Sequence, residues 1–191
     1  MKRFLLFLLL TAATTSIMAQ VAQRFDLKHN GFVDAKDSTN NYVVLDYPKM
    51  SKVDLYKKTL TYLNGLYKNP AAVISTVDGE SITVNGHSDQ PNTDNGVFKY
   101  PFDYNIVFQF KDGKMRAEPR ITKIEEMFNG SFTPFYISST DSPKKTEVKC
   151  IYMKNKNGQG YWLFQGEIKE SFNAWSNSYL WAIDKAITEK W

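Results

Sequence analysis

Phe102, Tyr104, Ile106, Phe108 and Phe110 alternate with Asp103, Asn105, Val107 and Gln109. A period of two places the first set on one face of a strand and the second on the other. The alternation predicts a strand over Lys99 to Lys111, and a face so rich in aromatics has to be buried. Asp112-Gly113 is a two-residue turn of the kind that hairpins favour. Met115 to Ile124 then returns, with Arg116, Glu118, Arg120 and Thr122 on one face. The rest of the chain must therefore supply a cover for one side of a sheet.

Two segments have the pattern for that cover. Ser51 is a good N-cap, with Asp54 three residues on, and Leu55, Thr59, Tyr62, Leu63 and Leu66 follow at helical spacing. Asn69-Pro70 is expected to end this helix. Near the end of the chain, Ile168, Phe172, Trp175, Tyr179, Ile183 and Ile187 form a second helical stripe. Tyr42 to Tyr47 is β-branched and aromatic, and Pro48 ends it. Val73 to Val77 and Ser81 to Asn85 flank Asp78-Gly79, read as a two-residue turn. Gly86 to Val97 is read as a polar loop. Val148 to Met153 and Tyr161 to Phe164 are short strand candidates. The stretch between Met127 and Gly166 is otherwise aromatic and turn-rich. The order of strand, helix, antiparallel strands and helix predicts an α+β fold: a twisted antiparallel sheet with helices packed on one face.

The first residues speak to location. Lys2 and Arg3 precede an apolar run from Phe4 to Leu10, and Ser16-Ile17-Met18-Ala19 ends on a small residue. This is the pattern of a secretory signal peptide cleaved after Ala19. The run is short of the ~20 residues that span a bilayer. Cleavage removes Lys2 and Arg3 and takes the formal charge from +4 to +2. A near-balanced charge and export both argue against a nucleic-acid partner. Cys150 is the sole cysteine, so no disulfide forms within the chain and no lipid-acceptor cysteine follows the signal. The expected organisation is a signal peptide at 1–19, a flexible leader at 20–40 and one domain at 41–191. The expected location is periplasmic or extracellular, with no transmembrane or lipid anchor.

Tyr42-Val43-Val44-Leu45-Asp46-Tyr47-Pro48, followed by Met50-Ser51-Lys52-Val53-Asp54-Leu55-Tyr56, resembles the opening of an exported bacterial family catalogued as domain of unknown function 4468. The hairpin around Lys111-Asp112-Gly113-Lys114 fits the same pattern, and the resemblance runs from about 42 to 125. It implies a TATA-binding-protein-like fold. It implies no activity, and a fold name does not by itself license DNA binding.

Chemistry is sparse. His29 falls in the leader. His87 sits beside Ser88 and Asp89, too close in sequence to be assumed aimed as a triad. Neither histidine has the companions a zinc site needs. Gly158-Gln159-Gly160 lacks the residues of a phosphate loop. Glu125 and Glu126 are adjacent in a strand and so point to opposite faces, unlike a glycosidase pair. Cys150 reads as a buried small apolar residue. No catalytic, metal or cofactor site emerges.

Two surfaces remain. If the helices cover the phenylalanine face, then Asp103, Asn105, Gln109, Arg116, Glu118 and Arg120 face outward. They form either a solvated face with cross-strand pairs or a surface for a small polar ligand or protein partner. Phe128, Phe132, Phe135 and Tyr136 either plug the edge of the core or dock a partner. The reading is an exported, non-catalytic binding or envelope-associated protein. The alternative is an extracytoplasmic hydrolase with an unrecognised site.

Overall fold

A computed structural model describes residues 23–90, 97–139 and 149–189. The signal peptide expected at 1–19 lies outside the described residues, as do Pro91–Gly96 and residues 140–148. The chain forms β1 (Phe25–Lys28), β2 (Gly31–Asp34), β3 (Val43–Asp46), α1 (Lys52–Leu66), α2 (Pro70–Val73), β4 (Ile74–Val77) and β5 (Ser81–Ser88). It continues with β6 (Phe102–Lys111), β7 (Lys114–Phe128), β8 (Ser131–Ser138), β9 (Cys150–Lys154), β10 (Tyr161–Leu163) and α3 (Gly166–Thr188).

Seven strands follow one another in the main sheet in the order β10-β9-β8-β7-β6-β5-β4, and β3 adds to β7. All of these pairings are antiparallel except β8 with β9. The fold is the α+β arrangement expected. Long β7 serves two neighbours on one edge: β3 pairs Lys114 to Ala117, and β8 pairs Ile124 to Phe128. Pro119 falls in the stretch between them, where a strand lies on one side only. That is where a residue without an N–H is tolerated.

The alternation of β6 is realised. Phe102 packs against Phe172 and Trp175 of α3, and Phe110 against Tyr56 of α1. Ile82, Phe108, Ala117 and Val43 form one buried row across four strands. Ser51 caps α1 as expected: its hydroxyl accepts from the Asp54 amide and donates to the Asp54 carboxylate. Pro70 opens a one-turn helix, α2, where the sequence reading had only a stop.

Four expectations need correction. Residues 20–40 are not a flexible leader throughout. Phe25 to Asp34 is a hairpin whose Phe25, Leu27, Phe32 and Val33 are buried. Phe25-Asp26-Leu27-Lys28 alternates, but over only four residues, and Gly31-Phe32-Val33-Asp34 does not alternate at all, so the signal was weak. The second correction concerns Gly86 to Val97: β5 continues through Gly86 and His87 to Ser88. Third, β7 runs on past Glu125 and Glu126. Those two do face opposite ways, but Glu126 is buried, where it meets Lys149 and accepts from Tyr100 Oη. Fourth, the link between β4 and β5 spans three residues, since Val77 pairs with Ser81 and the Glu80 amide donates to the Val77 carbonyl. A two-residue turn would have paired Val77 with Glu80 and turned β4 over.

The hairpin β1–β2 is held by asparagines of α3. Asn177 Oδ1 accepts from the Arg24 and Phe25 amides at 2.7 and 2.9 Å, and its Nδ2 donates to the Phe25 carbonyl at 3.0 Å. One turn earlier, Asn173 Oδ1 accepts from the Leu27 amide at 2.7 Å. Two side chains four residues apart thus satisfy an edge that would otherwise be left unpaired. Lys169 joins them by pairing with Asp26. Burial raises the Asp26 carboxyl, but its bonds from Lys169, Lys28 and Asn173 outweigh this and hold it below the usual range.

Candidate functional site

The sheet face turned away from α1 and α3 is read directly from the register. Val77 pairs with Ser81, Ser81 with Gln109, Gln109 with Arg116 and Arg116 with Val44. These five residues make one straight row across five strands. The next outward row holds Ser75, Thr83, Val107 and Glu118. Beyond it lie Asn85, Asn105 and Arg120, and then His87 and Asp103. Asp103, Asn105, Gln109, Arg116, Glu118 and Arg120 therefore share the outer face, as expected for that geometry.

Their environments differ. Asn105 Nδ2 donates to Asn85 Oδ1 at 2.8 Å, an ordinary cross-strand pair. Gln109 is exposed. Glu118 is only 8% exposed, because two arginines close over it. Arg116 Nη2 lies 2.8 Å from Glu118 Oε2, and Arg120 Nε donates to Oε1 at 3.1 Å. Asn41 Nδ2 adds a third donor at 2.9 Å. Burial raises the Glu118 carboxyl, but the hydrogen bonds and charges of Arg120 and Arg116 more than reverse this, so it stays ionised. Glu118 keeps its place on the outer face but is a buried anchor for two cations, a correction to the expectation that it is open to solvent or ligand.

Arg116 is held twice. Its guanidinium carbon lies 3.8 Å from the centre of the Tyr42 ring. Its Nε is closed off from solvent and has no hydrogen-bond partner among the described residues. Beside it, Lys111 and Lys114 flank the Asp112-Gly113 turn. Lys114 has Asp46 at 3.7 Å, and Lys111 has no ion pair among the described residues. These side chains border a cleft of about 480 Å³ over the first row, with Val44 and Val77, 43% and 60% exposed, at its two ends. Glu80 stands at the rim and is paired with Lys52.

His87 lies on the same face, at the far end. Its Nδ1 is 2.8 Å from Asp103 Oδ1 and its Nε2 is 3.4 Å from Asp89. The Asp103 bond is the main reason its proton affinity is raised, against a smaller opposing effect of burial. Ser88 pairs with Phe102 and so belongs to the opposite face. Among the described residues, the hydrolase reading has no nucleophile at His87. The carboxylates bind the charged imidazolium, so their contribution to stability is complete below the unfolded value of 6.5. It fades as the pH rises through the higher folded value. Replacing Asp103 with Asn is expected to lower the His87 midpoint toward that of a free imidazole. The ring Cε1–H signal reads this in an NMR titration, and an unmoved midpoint would contradict the contact.

The aromatic candidates divide. Phe135 is buried and meets Tyr100 edge to face at 4.9 Å, so it belongs to the core. Phe132 and Tyr136 remain 55% and 57% exposed on the other face of β8. A second cleft of about 430 Å³ lies along β7 at Ile121–Glu125 beside β8, bordered by His29, Pro134 and Tyr136. His29 stacks on Tyr161 at 4.5 Å. Cys150 is buried, and burial pushes its thiol up, away from the reactive thiolate.

Sequence reasoning missed Tyr42, Val44, Val77, Ser81, Lys111 and Lys114. Part of this row was within reach. A two-residue turn at Asp112-Gly113 forces Gln109 opposite Arg116 and Lys111 opposite Lys114. The contributions of β3 and β4 depend on long-range pairing that has no local mark.

The arrangement of strands and covering helices has solved counterparts. A TBP-like protein from Parabacteroides distasonis superposes with a TM-score of 0.54 over 78% of this chain and 92% of that one, at 9% identity. The fold is TBP-like. A domain of unknown function 4468 family protein from Bacteroides ovatus matches with a TM-score of 0.49 over 78% of this chain and 85% of its own, at 14% identity. No family model matches the chain. No curated protein matches it either. At these identities the TBP-like likeness speaks for the fold alone.

Proposed function

We propose that the chain is an exported, non-catalytic binding protein that takes a small polar ligand or partner on its open sheet face. The observation that carries this reading is the uncovered cross-strand row from Val77 to Val44, with apolar side chains at both ends and polar or charged ones between. Val44 stands exposed beside the clamped Arg116 at one end of the row and Val77 at the other, on a face that neither α1 nor α3 covers. The mixture of Arg116, Arg120, Lys114, Glu118, Asp103 and Glu80 on this face favours a polar ligand over a polyanion such as nucleic acid. Export rests on the Met1–Ala19 pattern. No helix among the described residues is long and apolar enough to cross a membrane.

Both halves of the reading are tested in the native host with a tagged chain. Export predicts a chain starting at Gln20 in the soluble envelope or culture fraction. Finding the uncleaved chain in the cytoplasm would sink that half. For binding, species captured by the tagged chain are compared with those captured by Thr83→Arg, which sets a long side chain in the middle of the open face. Lys57→Glu, on exposed α1 surface, is the control. Loss with Thr83→Arg and retention with Lys57→Glu is the expected result. Equal capture by all three would count against the open face.

A further inference from the structure

The cleft at the β6–β7 hairpin is chemically lopsided. Three cationic side chains, Lys111, Lys114 and Arg116, border it; Arg116 is paired with Glu118 and Lys114 has Asp46 at 3.7 Å, which leaves Lys111 without an ion pair among the described residues. The acid at its rim, Glu80, is already committed to Lys52. Arg116 is fixed between the Tyr42 ring and the Glu118 carboxylate, so its fork is pre-set rather than swept about in solvent. Such a guanidinium loses little freedom on meeting an anion, and a bidentate oxyanion suits its geometry. The apolar side chains stand at the two ends of the row: Val44, 43% exposed, is the cross-strand neighbour of Arg116, and Val77, 60% exposed, lies three strands away from it. The volume of about 480 Å³ fits a compact organic molecule.

We propose that this cleft binds a small organic anion, a carboxylate or phosphate monoester with an apolar body. Its oxyanion lies against Arg116 and the two lysines, and its body against Val44, the cross-strand neighbour of Arg116. The inference rests on the open-face reading and narrows it to a ligand class. Inorganic phosphate lacks the body, and a neutral alcohol lacks the charge, so both bind more weakly than a molecule with both.

The test is a titration of the ¹⁵N-labelled protein with phenyl phosphate, benzoate, inorganic phosphate and benzyl alcohol. Readouts are the Arg116 Nε–H signal and the amides of Val44, Gln109 and Lys114. Phenyl phosphate or benzoate should shift these signals with an affinity about tenfold above that of inorganic phosphate or benzyl alcohol. The double variant Lys111→Gln/Lys114→Gln, both changes on exposed side chains at a turn, should weaken the organic anions several-fold and leave benzyl alcohol unchanged. Benzyl alcohol binding as well as phenyl phosphate would overturn the proposal. So would shifts confined to other surfaces, or none with either organic anion at ~10 mM. If Thr83→Arg abolishes capture while the organic anions leave the cleft unmoved, the ligand class is wrong and the open-face reading survives.

Discussion

Replacing Asn177 with Leu is expected to cost roughly 3–5 kcal/mol, a large part of the 5–15 kcal/mol typical of a domain. Asn177 serves the Arg24 amide, the Phe25 amide and the Phe25 carbonyl, and its Nδ2 also reaches the Asn173 carbonyl. Leucine keeps the volume and serves none of them. Each buried backbone group left unpaired costs about 1–3 kcal/mol, and the three do not add fully because β1 can shift. The hairpin would give way before the rest. Phe25, Leu27 and Phe32 leave the core with it, so fast hydrogen exchange in β1 should appear at denaturant concentrations where β6 is still protected. A urea midpoint within experimental error of the natural chain would contradict this role.

Gly86→Ala is expected to cost about 3 kcal/mol, although alanine suits a strand better than glycine does. The reason is Tyr104, the partner of Gly86 across β5 and β6. A Cβ at Gly86 would lie 2.8 Å from Tyr104 Cε2 and closer still to Cζ and the hydroxyl oxygen. The ring has no easy escape. Its hydroxyl is 3.0 Å from that of Tyr67, which in turn is 2.7 Å from that of Tyr179. Trp175 and Phe102 pack on it at ring-centre distances of 4.8 and 5.8 Å. A double-mutant cycle isolates the clash. In a Tyr104→Leu background the further cost of Gly86→Ala should fall below about 1 kcal/mol. An equal cost in both backgrounds would place the problem elsewhere.

These two positions show which parts of the structure are legible in the sequence. The strand at Phe102–Phe110 and its turn at Asp112-Gly113 are strong signals because both alternation and turn chemistry are local. The Ser51 cap and the Ile168–Ile187 stripe are local in the same sense. Asn173 and Asn177 lie on the buried side of α3, where a hydropathy pattern expects apolar residues. Their partners are 146 to 153 residues away in sequence. Nothing near Phe25 announces that its edge will be capped by a helix, so β1 and β2 read as loose chain. Gly86 looked like the start of a loop, since the usual reason for a glycine is a turn. Here it makes room for a ring on the neighbouring strand.

The site divides along the same line. The outward set on β6 and β7 followed from parity alone. The burial of Glu118 did not, because it arises from Arg116 and Arg120 closing over one carboxylate and from Asn41, 77 residues away. Phe135 and Phe132 looked equivalent in sequence, yet strand parity sends the first into the core and leaves the second outside.

The central claim is that this chain meets its ligand on the open face of the sheet, away from the helices. Residue-by-residue hydrogen exchange with and without a soluble extract of the native envelope tests it most directly. The account predicts slowed exchange along the outer rows, at Ser81, Thr83, Val107, Gln109 and Arg116. Protection confined to the groove between α1 and α3, around Tyr62, Leu66 and Trp175, would contradict it.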